Sequence, residues 1–309
     1  MKEKYNLKVL LILMSLVTFS CVQDDPCSKS DTIVSSDALS AEDAAKCDDG
    51  GGDNPDDGTD PLDPIDPAPI PIPDPTPIPV PSETDLNSLN KPWSREDTTI
   101  VIDAYQGNSI DWDKMATDTK VAGVIHRSSI GMRVDTKYKS RKKIALDRGY
   151  LWGAYHLGRR GDTIKQADLF LSLVQDEPDT LMILDLEDTN SGNFMSITEA
   201  ITFMDYIYEK TGKIPTVYAN HSTTKILNER VKSHPLFQQS KLWYARFKSK
   251  VTDYPSGVWP NYFLWQFSSE INCSKTGSCL YNVPGTRFDM DVNIFNGPQS
   301  DLRLKWNND

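Results

Sequence analysis

The sequence predicts an α/β fold: a distorted, TIM-barrel-like (β/α) barrel of about eight strands over residues 93–309, its helices becoming incomplete on the C-terminal side. Three observations predict it. Eight short runs rich in β-branched and aromatic residues follow one another after Glu96. Stretches with helical spacing or capping signals separate the first five, which indicates parallel βαβ units. Few helical signals separate the last three.

Residues 1–21, "MKEKYNLKVLLILMSLVTFSC", place lysines ahead of an apolar run that ends in small residues and Cys21. The run is too short for an ordinary membrane-spanning helix and has the form of a secretory signal, so export from the cytoplasm is expected. "VTFSC" resembles the lipobox of bacterial lipoproteins. That would lipidate Cys21 and anchor the protein to a membrane.

Residues 22–92 read as a disordered tether. "CDDGGGDNPDDGTD" is acidic and glycine-rich, and "PLDPIDPAPIPIPDPTPIPVP" (61–81) carries proline at almost every second position. Proline removes backbone donors and favours extended polyproline II, so no core can form there. At ~3.1 Å per residue this tract would reach roughly 65 Å and hold a domain away from a surface.

The formal charge of −11 belongs to the tether: residues 22–92 hold 17 acidic and 3 basic side chains, and residues 93–309 net only +1. The acidic balance therefore says little about the substrate. Without a long basic run, nucleic acid is not an expected partner.

With Cys21 set aside, Cys27, Cys47, Cys273 and Cys279 remain. An even number in an exported chain points to disulfides, and Cys273 with Cys279 is the expected pair because only "SKTGS" separates them. Free thiols are the alternative, and the pairing of Cys27 with Cys47 is open. Paired C-x-x-C units are lacking and there are four histidines, so neither a metal site nor a cofactor is expected.

The strand candidates are "TTIVID", "VAGVIHR", "LWGAYHL", "TLMILDLE", "IPTVYAN", "KLWYARF", "YFLWQFS" and "DMDVNIF". Among the intervening stretches, "DTKYKSRKKIALDRG" ends on glycine and "DTIKQADLFLSLVQD" offers Asp162 as a cap. "SITEAITFMDYIYEKTG" opens with Ser196 and Glu199 as a capping box and stops at Gly212. In such a barrel chemistry gathers where strands end and loops begin. Asp103, His156, Asp185, Glu187, Tyr218 and Asn220 all sit at such ends.

Asp185 and Glu187 are two apart on a strand, so they project to one face with Cα atoms about 6.5 Å apart. Glycoside hydrolysis uses such a pair: one carboxyl stays protonated to deliver a proton, and the other stabilises positive charge at the anomeric carbon. Mutual repulsion should separate their proton affinities. Carboxylate pairs also bind metals, and a lone D-x-E arises readily by chance.

"VIDAYQGNSIDWDKM", "GAYHL", "ILDLE", "LWYA", "LWQFSS" and "MDVNIFNG" resemble, in order, the segments of glycoside hydrolase family 25, the Chalaropsis-type lysozymes. The likeness runs from Ile102 to Gly297. It implies a distorted β/α barrel that cleaves the β-1,4 bond between N-acetylmuramic acid and N-acetylglucosamine in peptidoglycan. It makes Glu187 the general acid. Asp185 becomes the partner carboxylate, acting as nucleophile or by orienting the substrate's N-acetyl group, and Asp103 and Asp291 complete an acidic floor. Ala104 and Leu157 depart from the usual pattern. "GMRVDTKYKS" and "SSEINCSKTGSCLYNVPGTRF" also depart and are candidates to reshape the groove.

Flat rings stack on the apolar faces of sugars. Tyr105, Gln106, Tyr155, His156, Tyr218, Trp243 and Trp265 are the candidate substrate contacts, with Tyr218 and Trp265 preferred. Trp152 and Trp243 are the rings most expected to be core, and His156 is expected to orient a neighbour. The expected protein is thus an exported, monomeric cell-wall hydrolase. Two alternatives stand beside it: a surface protein that binds carbohydrate without turnover, and a glycanase for another N-acetylated polymer.

Overall fold

The computed structural model describes residues 89–269, 279–287 and 290–307. Cys21, the tether up to residue 88 and Cys273 lie outside these residues; Cys279 is disulfide-bonded. In chain order the elements are β1 (Thr99–Ala104), α1 (Trp112–Met115), β2 (Val121–Ile130), β3 (Arg133–Val134), α2 (Tyr138–Asp147), β4 (Leu151–Leu157), α3 (Thr163–Val174) and β5 (Leu181–Leu186). There follow α4 (Ile197–Thr211), β6 (Thr216–Asn220), α5 (His221–Arg230), α6 (Pro235–Gln239), β7 (Leu242–Ala245), β8 (Leu264–Ser268), β9 (Asp291–Phe295) and α7 (Gln299–Leu304).

All eight expected strands form, and they close into a barrel in the order β1, β2, β4, β5, β6, β7, β8, β9 and back to β1. Parallel pairing holds from β1 through β8. β9 departs from it, lying antiparallel to both β8 and β1. β3 adds a hairpin to the end of β2, outside the barrel.

Local chemistry sets the helix ends. Ser196 accepts from the Glu199 N–H while the Glu199 carboxylate accepts from the Ser196 N–H, and Gly212 ends α4 at φ 70°, where a side chain would be strained. The expected side-chain cap at Asp162 does not form. Asp162 is left-handed (φ 49°), and its carboxylate faces Lys165 instead at 3.2 Å. No helix forms between β7 and β8, which matches the sparse helical signals there.

Strands β1 and β5 are buried on both faces, as barrel strands under a helical layer must be. Ile100, Ile102, Trp152, Leu184 and Leu186 belong to the outer core cluster, which also holds Phe170 of α3 and Phe203 of α4. Val101, Ile125, Ile183, Trp243 and Leu264 fill the interior. The chain's end plugs the bottom: Trp306 is 1% exposed, packs into the interior cluster and donates its indole N–H to the Trp152 carbonyl at 2.8 Å. Gly123 and Gly153 leave room for that ring, since a Cβ on either would come within 3.2 to 3.4 Å of it.

Candidate active site

β5 carries the apolar wall up to Leu186, and Glu187 follows immediately beyond it. Asp185 faces the interior, aligned with Tyr218 on β6. The residue is 6% exposed, and its buried Oδ1 has no hydrogen-bond partner among the described residues. Burial, then the charges of Glu187 and Asp103, push its pKa well above the ordinary carboxylate value, against the pull of Arg127 and Arg159. Burial raises Glu187 as well. The two carboxyls therefore hold a proton where isolated ones would have lost it.

The reversed direction of β9 completes the floor. Asp291 opens that strand, yet because the strand is antiparallel its first residue lies level with Asp103 near the end of β1. The Gln266 amide donates to Oδ2 of both Asp103 and Asp291, at 3.1 Å each, and its oxygen accepts from the Tyr218 hydroxyl at 2.9 Å. The Asn293 amide donates to Asp103 Oδ2 at 2.8 Å and accepts from the Trp243 indole at 2.6 Å. Burial lifts Asp103 to about 6, and the bonds from Asn293 and Gln266 oppose the rise. Burial also pushes the Tyr155 and Tyr218 phenols well up, so both remain neutral donors.

One wall is cationic. Arg127, on β2, lies 3.4 Å from the fully buried Asp135 carboxylate and stacks on the Tyr105 ring, 4.9 Å from its centroid. Asp135 also accepts the Gln106 N–H at 2.8 Å, tying the loop after β1 to the strand hairpin. From α2, Arg141 donates to the carbonyls of Tyr105 and Asn108 and to His126 Nε2, which accepts at 3.0 Å. Burial lowers His126 to about 4, so it remains a neutral acceptor at neutral pH.

Among the expected substrate contacts, Tyr155 and Tyr218 face the barrel interior, Tyr218 level with Asp185 and bonded into the floor through Gln266, while Tyr105 follows β1 and stacks on Arg127. Trp243 is 2% exposed and packs edge-on beside Tyr218, its neighbour in register on β6, at 4.6 Å. Gln106 uses its side-chain oxygen on the backbone and hydroxyl of Thr136. Two further expected contacts, Trp265 and His156, lie away from the acids, although His156 does orient neighbours by hydrogen bonding as expected. Trp265 is completely buried in the outer layer and donates to the Arg246 carbonyl. His156 is likewise buried outside the barrel, stacked on Phe203 between Ser129 and Gln166, where burial lowers its pKa to about 4. An open cavity of about 480 Å³ beside the loop after β1, lined by Ser109, Asp111, Lys114 and Arg287, does not include Asp103, Asp185, Glu187 or Asp291.

The model of the family described as glycosyl hydrolases family 25 matches residues 100–276, more than half of the chain. The chain belongs to glycosyl hydrolase family 25. Solved structures similar to this family 25 hydrolase include a bacterial lysozyme from Streptomyces coelicolor (22% identity, TM-score 0.56, 69% of this chain and 99% of that one). A family GH25 lysozyme from Aspergillus fumigatus is similar at 23% identity and TM-score 0.54, over 69% of this chain and 100% of that one. A muramidase from Acremonium alcalophilum is similar at 22% identity and TM-score 0.54, over 68% and 100%. At such identities the likeness establishes the shared fold. A search of curated protein sequences finds no match.

Sequence reasoning missed the polar groups that order the family 25 hydrolase's floor and wall: Gln266, Asn293, Arg127, Asp135 and Arg159. A signal existed for the first two. Gln266 and Asn293 are polar residues in the middle of otherwise apolar strands, and a buried amide needs partners.

Proposed function

We propose that this family 25 hydrolase is a muramidase, cleaving the β-1,4 bond between N-acetylmuramic acid and N-acetylglucosamine in peptidoglycan. The observation that carries the proposal is the buried Asp185 carboxyl, one oxygen unpartnered, two residues before a Glu187 whose proton affinity is also raised. Glu187 delivers its proton to the glycosidic oxygen as the bond to the anomeric carbon breaks. Asp185, ionised while Glu187 holds the pair's proton, stabilises the positive charge that develops on that carbon, and water then adds there, giving its proton back to Glu187. Asp103 and Asp291, held by Gln266, keep the floor negative and oriented, while the Tyr155 and Tyr218 rings flank the sugar. Pure binding would need neither an acid nor its partner, which favours turnover over the carbohydrate-binding alternative.

The test is digestion of purified peptidoglycan by the full-length chain, with chitin oligosaccharides alongside. New reducing ends on muramic acid are expected, and Glu187→Gln should slow their appearance by on the order of 10²-fold or more. Identical digests from both proteins sink the proposal, and cleavage of chitin alone transfers it to the other N-acetylated polymer.

The same proposal places the hydrolase outside the cytoplasm as a monomer, lipidated at Cys21, with residues 22–92 as its spacer. The signal-like "LKVLLILMSLVTFSC" supports this. The mass of the N-terminal peptide of the protein from membranes decides it, since a free unprocessed Met1 would exclude lipidation.

A further inference from the structure

The acidic floor has a cationic wall with one guanidinium left over. β2 runs on to Ile130, turns at Gly131 and returns as β3, so this hairpin opens the "GMRVDTKYKS" stretch that departs from the family pattern. Gly131 has φ +52°, and a Cβ there would meet the Arg159 side-chain stem at 3.1 Å. The turn therefore lies directly against Arg159, two residues beyond β4.

From the other side Phe194 offers its ring to the Arg159 guanidinium, 4.7 Å from the centroid, and the two backbones form a β-bridge. The Arg159 N–H donates to Gln166 Oε1 at 3.0 Å. The neighbouring Gly158 N–H donates to the Asp185 carbonyl at 3.2 Å, which fixes this loop to the strand bearing the carboxylates. The side chain is thus held on both sides and half-buried. Among the described residues it has no carboxylate partner, whereas Arg127 is engaged by Asp135. Asp185 feels the charge of both arginines.

A guanidinium fixed in place and lacking an anion presents a ready fork for a carboxylate, at little further cost in side-chain freedom. The proposed substrate supplies one. The two sugars of the peptidoglycan repeat differ by the lactyl ether on muramic acid, which ends in a carboxylate or continues into an acidic peptide. We propose that Arg159, braced by the β2–β3 hairpin and Phe194, is the specificity-determining contact for the carboxylate-bearing substituent of the muramic acid residue. This rests on the muramidase proposal for the identity of the sugar.

The experiment is calorimetry on the full-length chain carrying Glu187→Gln, so that bound glycan stays intact. Three muramic-acid tetrasaccharides serve as ligands: one with free lactyl carboxylates, one carrying the acidic peptide, and one with every carboxyl amidated. Adding Arg159→Gln should weaken binding of a carboxylate-bearing ligand by about 10-fold and leave the amidated ligand unaffected, while Arg159→Lys keeps part of the preference. The first two ligands show whether the lactyl or the peptide carboxylate is the one gripped. Equal weakening of charged and amidated ligands, weakening of neither, or no binding of any ligand overturns the inference. Hydrolysis by the wild-type chain is scored separately: a chain that discriminates through Arg159 but cleaves nothing keeps this inference and loses the muramidase proposal.

Discussion

Asp103 sits under the site with its Oδ2 accepting from two amides and its proton affinity lifted from 3.8 to about 6, chiefly by burial. In the unfolded chain the carboxyl ionises near 3.8; in the folded chain it holds its proton up to about 6. Between those values the folded state binds more protons, so raising the pH costs it stability. The penalty is absent below the lower value and fully present above the upper one. Asp103→Asn keeps an oxygen to accept from Asn293 and Gln266 but removes the charge. It should therefore stabilise the protein by about 1–3 kcal/mol at about pH 8 and change little at about pH 4, measured by urea midpoints at both. A loss of hydrolysis alongside that gain would mark Asp103 as an acid whose ionisation opposes folding yet serves the site. Asp185 and Glu187 follow the same direction, and their spacing was legible in "LDLE". The amides Gln266 and Asn293 stood out as polar residues within apolar strands, but their acceptors and the arginines did not, because these come together from strands as distant in sequence as β2 and β9.

Among the elements, α4 and β9 show opposite degrees of legibility. The capping box at Ser196 and Glu199 and the stop at Gly212 are local, involving residues within one or two turns, and they form as the sequence predicts. Ser196→Ala should cost about 1 kcal/mol in thermal or urea unfolding with hydrolysis retained, since it leaves one helix N–H without its acceptor. The direction of β9 was not legible. Parallel neighbours need a long crossover, usually helical, to return the chain to the same end. The lack of helical signals before "DMDVNIF" permitted an antiparallel return without requiring it. That direction decides the site, because a parallel β9 would have put Asp291 at the far end of the barrel from Asp103. Asp162 is the converse: a good capping residue type that the loop conformation turns away from its helix.

For the whole molecule, the barrel depends on how its two ends are finished. The bottom is sealed by Trp306, which lies inside the strands and bonds to the Trp152 carbonyl, with Gly123 and Gly153 left bare to admit it. Trp306→Ala should destabilise the protein by about 3–5 kcal/mol, read from the urea midpoint, because the strands around the void cannot collapse to fill it. The tail "QSDLRLKWNND" reads as polar, and nothing in its local pattern announces a plug. At the other end the rim gathers acids from β1, β5 and β9 and arginines from β2 and the loop after β4.

The sequence by itself determined the eight strands, the three helices α2, α3 and α4, each short motif shared with the family and the pairing of Asp185 with Glu187. All of these depend on residues within a few positions of one another. Tertiary structure alone decided which aromatic faces which side. In a barrel wall covered by helices both faces are apolar, so alternation gives the period without saying which half points inward. Trp243 and Trp265 lie on adjacent strands and read alike in sequence, yet Trp243 pairs with Leu264 on the inner face and Trp265 with Tyr244 on the outer. What breaks the tie is Gln266: its amide finds acceptors only at the acidic floor, so it must point inward, and Trp265 must then point out.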